Sequence, residues 1–325
     1  MVAAVAEFAF ATCLPGLEPA LKLGVADVRS ELRLAYSRPG LVTFKSPRAL
    51  SPDDPPPTAF ARVWGHSLGP ARDPSEAAHR LAYSGATRAH VFARDPDAPC
   101  DLAPWRAAVQ LPDGPAAVGD LVADVVVADD EPAWLGLHLH DASRPAHAGG
   151  AIPIDMPADA PSRAYAKLEE AIAWRGLPIA RGDVALEIGA APGGALYALA
   201  RRGVEAWGVD TGELAPQVAA LPNVHHLRKA IGALRWEELP ANVAWLLVDV
   251  NLAPQVALHE VARIVPPLRD SLRGAIVTLK LNDWQFIHEL PELATRVGAL
   301  VPGSQVVMRH LPSNRRELCA VAYRR

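Results

Sequence analysis

Glu187-Ile188-Gly189-Ala190-Ala191-Pro192-Gly193-Gly194 is the stretch that decides how this chain folds. Residues 184–188 are a short apolar run that stops at Gly189, and residues 195–202 read as helix. A strand that ends in a glycine turn and opens a helix is the unit from which doubly wound sheets are built. Glycines at such a turn let the backbone approach a ligand, and the first N–H groups of the helix point into the same crevice. The spacing is not G-x-G-x-x-G, and no Gly-Lys-Ser/Thr follows, so this is neither the dinucleotide fingerprint nor a Walker loop. Sixteen residues beyond Gly194, Asp210 closes the next apolar run, where a carboxylate can accept hydrogen bonds from ribose hydroxyls. The rival reading is a Gly/Pro turn of any α/β protein, and Asp210 weighs further against it by pointing to a nucleoside-bearing ligand.

Downstream the alternation continues. Residues 205–209, 224–227, 243–248 and 275–281 read as strands, with helices within 255–268 and around 287–297. Residues 305–310 and 318–323 bracket Leu311-Pro312-Ser313-Asn314-Arg315-Arg316-Glu317 as a hairpin-like ending. This predicts an α/β fold with a doubly wound parallel sheet and its ligand site outside the carboxyl ends of the strands. Upstream, Ser51-Pro52-Asp53-Asp54-Pro55-Pro56-Pro57 can be neither helix nor central strand and reads as a linker. A second break covers residues 144–161, with Gly149-Gly150 and four prolines. Between the breaks, 78–83 is helix-like and 89–93, 120–128 and 133–140 are strand-like, the last by the alternation Trp134-Leu135-Gly136-Leu137-His138-Leu139-His140. The expected organisation is an N-terminal α+β module over residues 1–50, a second module over 58–146 and the α/β domain over 158–325.

Composition bounds the function. A chain of 325 residues and 34.6 kDa is long enough for two or three domains, and 50% hydrophobic with 21% charged residues excludes a mainly disordered polypeptide. No apolar run approaches the roughly 20 residues that span a bilayer, and Met1-Val2-Ala3-Ala4-Val5-Ala6-Glu7 lacks the basic start and apolar core of a secretory leader. Cys13, Cys100 and Cys319 are too few and scattered for a disulfide framework or a cysteine-rich zinc site, so a reduced, cytoplasmic setting is expected. Residues 1–150 carry 13 Lys/Arg against 18 Asp/Glu, and residues 151–325 carry 19 against 18. That balance excludes a strongly basic nucleic-acid binder, so any RNA contact rests on a local patch. His138, His140, His225 and His226 read as ordinary core or surface residues, and no metal is implied.

The Gly-Ala-Ala-Pro-Gly-Gly loop resembles the S-adenosylmethionine loops of class I methyltransferases, especially the FtsJ-like RNA ribose 2'-O-methyltransferases. The resemblance implies a Lys-Asp-Lys-Glu catalytic set, and each position has a match. Lys167 lies in Ser162-Arg163-Ala164-Tyr165-Ala166-Lys167-Leu168-Glu169-Glu170, and Asp249 ends Trp245-Leu246-Leu247-Val248-Asp249. Lys280 lies in Val277-Thr278-Leu279-Lys280-Leu281, and Glu317 in Asn314-Arg315-Arg316-Glu317-Leu318. Two of the chain's five lysines thus fall on the two lysine positions. The same resemblance implies S-adenosylmethionine binding by Glu187, Gly189, Ala191, Pro192, Gly193, Gly194, Asp210 and Asp249, and RNA contacts by Arg163, Arg315 and Arg316. A ribose hydroxyl becomes a competent nucleophile when a base removes its proton. Lysine can be that base only if its pKa falls, and a neighbouring lysine together with partial burial is expected to lower it. In this scheme Lys280 is the base, Lys167 lowers its pKa and orients the hydroxyl, Asp249 holds Lys280 near the methyl donor, and Glu317 orients Lys167.

Within the FtsJ-like enzymes the chain is most similar to the RlmM family, which methylates a cytidine ribose in 23S rRNA. The similarity runs through Met156-Pro157-Ala158-Asp159-Ala160-Pro161-Ser162-Arg163, Val209-Asp210-Thr211-Gly212-Glu213-Leu214-Ala215, Leu221-Pro222-Asn223-Val224 and Ala133-Trp134-Leu135-Gly136-Leu137. It covers roughly residues 130–325. Leu14-Pro15-Gly16-Leu17-Glu18 hints at the family's N-terminal ferredoxin-like and THUMP-type RNA-binding modules, with rRNA as the implied partner. Two departures stand out. Ala230 occupies the place of an acid that contacts the adenine, and Lys280-Leu281-Asn282-Asp283-Trp284 replaces a basic cluster. A catalytically degenerate RNA-binding or assembly protein, and a methyltransferase for another acceptor, are the rival readings; the intact set of four argues against both.

Overall fold

The computed structural model describes residues 7–54, 58–129, 131–281 and 284–324. The opening six residues, Pro55-Pro56-Pro57 of the proline stretch, and Asn282-Asp283 after Lys280 therefore lie outside the described residues. The chain divides into two compact units, Met1–Ile152 and Pro153–Arg325. No described helix is long and apolar enough to cross a membrane.

The first unit is mixed α/β. It contains β1 (Phe8–Thr12), α1 (Glu18–Val28), β2 (Arg33–Arg38), β3 (Leu41–Lys45), β4 (Val63–Ala71), α2 (Pro74–Leu81), β5 (Arg88–Ala93), α3 (Ala103–Val109), β6 (Leu121–Ala128) and β7 (Glu131–Leu139). The seven strands form one sheet in the order β2-β3-β1-β4-β7-β6-β5. Strands from both sides of the proline stretch share it, since Phe10 of β1 pairs with Gly65 of β4. In the structure that stretch is consequently a connection within one unit, where the sequence suggests a boundary between modules. Local chemistry sets the start of α2: Asp73 accepts a hydrogen bond from the Glu76 amide at 2.9 Å, and Pro74 follows at the first helical turn. Helices α2 and α3 cover one sheet face, where Ala77, Leu81, Trp105 and Val109 pack on Ala89, Val91, Ala123, Val125 and Leu135. Phe10, Leu41, Val63, Phe92 and Val126 form a second cluster.

The second unit holds α4 (Ala164–Arg175), β8 (Val184–Ile188), α5 (Gly194–Arg201), β9 (Glu205–Val209), α6 (Pro216–Ala219), β10 (Val224–Leu227), β11 (Val243–Val248), α7 (Pro254–Ile264), β12 (Gly274–Lys280), α8 (Leu290–Leu300), β13 (Gln305–Arg309) and β14 (Glu317–Tyr323). Its sheet runs β10-β9-β8-β11-β12-β14-β13. The first five of these strands are mutually parallel, as expected. The sheet is not parallel throughout, however. β14 lies between β12 and β13 and is antiparallel to both. The hairpin seen in the sequence has folded back so that its second strand, not its first, joins the parallel set. Chain order reverses between β8 and β11, which creates the crevice at which ligands bind in such sheets.

Candidate active site

Five strand ends converge on that crevice. β8 delivers Glu187 and Gly189, β9 ends before Asp210, β11 before Asp249, and β12 ends at Lys280. β14 contributes from the opposite direction. Being antiparallel to β12, it begins where β12 finishes, and its first residue, Glu317, is the register partner of Lys280. The fourth member, Lys167, comes from α4.

The four side chains close into a ring. Lys167 Nζ lies 3.1 Å from Asp249 Oδ2 and 2.5 Å from Glu317 Oε2. Lys280 Nζ lies 3.0 Å from Asp249 Oδ1 and 2.5 Å from Glu317 Oε1. Each carboxylate bridges both ammonium groups, one oxygen to each; three of the contacts are charge-assisted hydrogen bonds, and Lys167–Glu317 Oε2 is an ion pair without hydrogen-bond geometry. This arrangement corrects the electrostatic expectation for Lys280. Burial is the largest influence on it and acts downward, but the charge of Asp249 and the hydrogen bonds to Glu317 and Asp249 outweigh it and hold the lysine above its ordinary value. The nearest charges to Lys280 are acids, and the second lysine reaches it only across them. Glu317 shows the converse: burial pushes its carboxyl up, yet its contacts with the Lys167 and Lys280 ammonium groups bring it below the usual range.

The glycine loop is built by close approach. Gly189 has φ +89°, and a Cβ there would stand 2.3 Å from the Asp249 carbonyl oxygen. Gly193 caps α5 with φ +105°, against Val218. A Cβ on Gly194 would meet Ser162 Oγ at 2.3 Å, so the segment leading into α4 can lie directly on the start of α5. Asp210 fastens the loop: its Oδ2 accepts from the Ala191 amide at 3.0 Å and its Oδ1 from the Gly212 amide at 2.8 Å. Each oxygen keeps lone-pair capacity for a hydroxyl. Pro192 sits between Ala191 and Gly193 in the same turn.

Glu187 is the unusual group. It is 2% exposed, and its Oε2 has no hydrogen-bond partner. Burial, reinforced by the charge of Asp249, holds its carboxyl well above the usual carboxylate range. It lines a cleft together with Lys167, Asp249, Thr278, Asn314 and Cys319. A buried acid with one free oxygen on such a cleft fits a ligand that brings its own polar groups and positive charge. The Cys319 thiol, pushed up to about 12 by burial, is not a nucleophile here.

Arg163, Arg315 and Arg316 are all exposed, the first just before α4 and the other two in the turn that leads into Glu317. Ala230 is exposed after β10, beside Lys229, which pairs with Glu238 at 2.5 Å. Two supporting contacts were not legible in the sequence. Buried Glu170 on α4 accepts from Ser313 N at 2.9 Å and from Ser313 Oγ at 2.8 Å. Buried Asn314 accepts from the Leu311 amide at 3.1 Å. Together they fix the turn before β14. Glu170 sits one helical turn from Lys167 on the same helix, which was the available signal.

The FtsJ-like methyltransferase family matches residues 160–300, within the second unit. Glu317 lies beyond the matched part. The ribosomal RNA large subunit methyltransferase M of Alkalilimnicola ehrlichii is 33% identical over 209 residues, covering 61% of this chain and 55% of that protein. Its counterpart in Halorhodospira halophila is 40% identical over 134 residues, 39% of this chain and 37% of the relative. The chain thus spans about half the length, or less, of these curated relatives. Among solved structures, TrmN from Thermus thermophilus aligns at 18% identity and a TM-score of 0.36 over 98% of this chain and 99% of that one, and carries no weight in the assignment.

Proposed function

We propose that this chain is an S-adenosylmethionine-dependent RNA ribose 2'-O-methyltransferase, acting on a cytidine of large-subunit ribosomal RNA. The observation that carries this reading is the closed Lys167–Asp249–Lys280–Glu317 ring at the mouth of the glycine-loop crevice. The names of the relatives support rRNA as the substrate class. Glu187, Gly189, Ala191, Pro192, Gly193, Gly194, Asp210 and Asp249 are the residues that would hold the cofactor. When bound, the cofactor supplies a methyl group on a sulfonium, open to attack by an oxygen nucleophile.

The chain's own residues then have separable tasks. Asp210 accepts hydroxyl hydrogen bonds, and Glu187 offers its unpartnered oxygen to the deeper end of the crevice. Lys167 and Lys280 both present ammonium groups to the mouth, and the ribose hydroxyl is oriented there. Lys280 Nζ takes the hydroxyl proton in its free-base form. Because Asp249 and Glu317 favour the ammonium form, Lys280 gives up its own proton first, to water, and does so more readily when other cations share those carboxylates. Lys167 is one such cation already in place. Arg163, Arg315 and Arg316 would contact phosphates.

The test is a map of 2'-O-methylation in total RNA with and without the gene, followed by restoration with Lys280→Ala. Loss of one rRNA cytidine mark, recovered by the wild type alone, is the expected result. An unchanged map, with calorimetry showing no cofactor binding by the folded chain, would return the protein to the degenerate reading that Ala230 motivates.

A further inference from the structure

Two imidazoles and one carboxylate meet in the interior of the first unit, which holds none of the groups used above. His90 lies on β5, Asp124 on β6 and His138 on β7. Strand register places them together: His90 pairs with Asp124, Asp124 pairs with Gly136, and His138 follows Gly136 by two residues on the same face. Their exposures are 2%, 0% and 4%. One ligand atom from each lies within 4.8 Å of the others.

The hydrogen bonding is incomplete in a particular way. His138 Nδ1 lies 2.5 Å from Asp124 Oδ2, whereas Asp124 Oδ1 has no partner. His90 Nε2 lies 3.1 Å from the Gly114 carbonyl oxygen. A carbonyl can only accept, so Nε2 carries the proton and Nδ1 of the neutral ring keeps its lone pair. Metal-bound imidazoles are held in this manner, one nitrogen donating to a backbone carbonyl and the other facing the ion. His140, two residues beyond His138, is also buried, with its Nδ1 unpartnered and its ring 6.2 Å from that of His138. A fully buried carboxylate is costly unless its charge is compensated. The single His138 contact engages one oxygen and leaves two buried polar atoms idle.

We propose that His90, Asp124 and His138 bind a divalent transition-metal ion, zinc by the character of the donors, in a structural site that ties β5, β6 and β7 together. Nitrogen and carboxylate ligands suit zinc, while calcium and magnesium take oxygen sets. Zinc holds such donors at about 2.0–2.2 Å, so that tetrahedral neighbours stand about 3.4 Å apart. Binding the ion requires the three donor atoms, now within 4.8 Å of one another, to draw together to that value. His140 supplies the fourth donor. The histidines that read as ordinary core in the sequence thereby gain a task, and the site owes nothing to the methyl-transfer reading.

The experiment uses the full chain without a histidine tag. Zinc content is measured after exhaustive dialysis, cobalt(II) is substituted for its visible absorption, and thermal unfolding is followed with and without zinc. One zinc per chain, tetrahedral cobalt bands and a zinc-dependent rise in Tm are expected. Asp124→Asn and His138→Gln should each weaken zinc by more than the roughly 10–100-fold that loss of an outer-shell partner produces. His225→Ala, at a ring stacked on Trp207 in the other unit, should leave zinc binding unchanged. Equal zinc binding by wild type, Asp124→Asn and His138→Gln overturns the proposal. Should those variants fail to fold, the wild type decides: absence of stoichiometric zinc and of cobalt bands overturns it as well.

Discussion

Lys280 is held by two carboxylates, and the position of its proton follows from that. Its raised pKa means that its pairing stabilises the fold fully below the ordinary lysine value of about 10.4 and is lost as pH rises through the higher folded value. Glu317 works in the other direction, stabilising above the ordinary glutamate value of about 4.3 and losing its contribution as pH falls through its lowered one. Methyl transfer should rise with pH on the alkaline side, as a property of the coupled ring. Glu317→Gln removes one negative neighbour, so the inflection should move to lower pH; Lys167→Ala removes a positive one and should move it up. Lys280→Ala should abolish turnover with cofactor affinity nearly intact by calorimetry. Lys280→Arg should fail too, since guanidinium does not give up its proton, and near-wild-type turnover by that variant would sink the base assignment. Glu187 yields a separate expectation. With its folded pKa raised well above 4.5, the folded state binds more protons than the unfolded one, and stability declines as pH rises above the unfolded value. Glu187→Gln lacks that decline, so its Tm advantage over wild type should widen from about pH 4.5 upward.

At the scale of elements, the ring depends on how β14 enters the sheet. Its first residue is set opposite Lys280 by antiparallel register, and the preceding turn is fastened to α4 through Glu170 and Ser313. Glu170→Ala leaves the two half-buried donors of Ser313 without their acceptor, a cost of about 1 kcal/mol or more. Denaturant melts should show that loss, and turnover should fall more than cofactor affinity, because the turn positions Glu317 and not the glycine loop. Gly189→Ala should be worse: it combines a positive φ with a Cβ driven against the Asp249 carbonyl, and both cofactor binding and stability should suffer. The glycine loop, β8 to β12 and the hairpin were legible because glycines and prolines punctuate them. Insertion of β14 beside β12 was not, since strand partners 37 residues apart leave no local trace. β1 escaped because Phe8-Ala9-Phe10-Ala11-Thr12 is buried along four of its five residues and shows no alternation. The β2–β3 hairpin carried an unread signal in Pro39-Gly40, with Gly40 at φ +79°. β7 alternates as expected only in part: Ala133 and Leu135 are buried, then the pattern shifts to Gly136 and His138. Its first half packs in the cluster beneath α2 and α3, while further along the strand the opposite face carries the His/Asp group. The four ring residues could be named in advance only through family resemblance; that each carboxylate bridges both lysines is a fact of packing.

For the whole molecule, the net charge of -4 limits how RNA can be held. Without a broad basic surface, few phosphates are neutralised, and the salt dependence should be shallow, each contact to a single strand contributing a slope of about 0.7. Arg315→Ala and Arg316→Ala should each weaken RNA binding and lessen that slope, with cofactor affinity unchanged in calorimetry. Each unit has its own sheet, so residues 153–325 expressed alone should unfold cooperatively and bind cofactor. If that fragment held RNA as tightly as the full chain, the first unit would lose its proposed part in recognition.

The place of β14 also bears on biogenesis. A ribosome reaches Lys280 and then adds 37 residues before Glu317 exists, which takes about 2–7 s at 5–20 residues per second. From the time β12 emerges until β14 has followed it, β12 presents an unpaired edge flanked by Ile276, Val277 and Leu279, the kind of surface on which nascent chains adhere to one another. Slow codons between the two strands should lower the soluble yield, and a chaperone that shields strand edges should restore it.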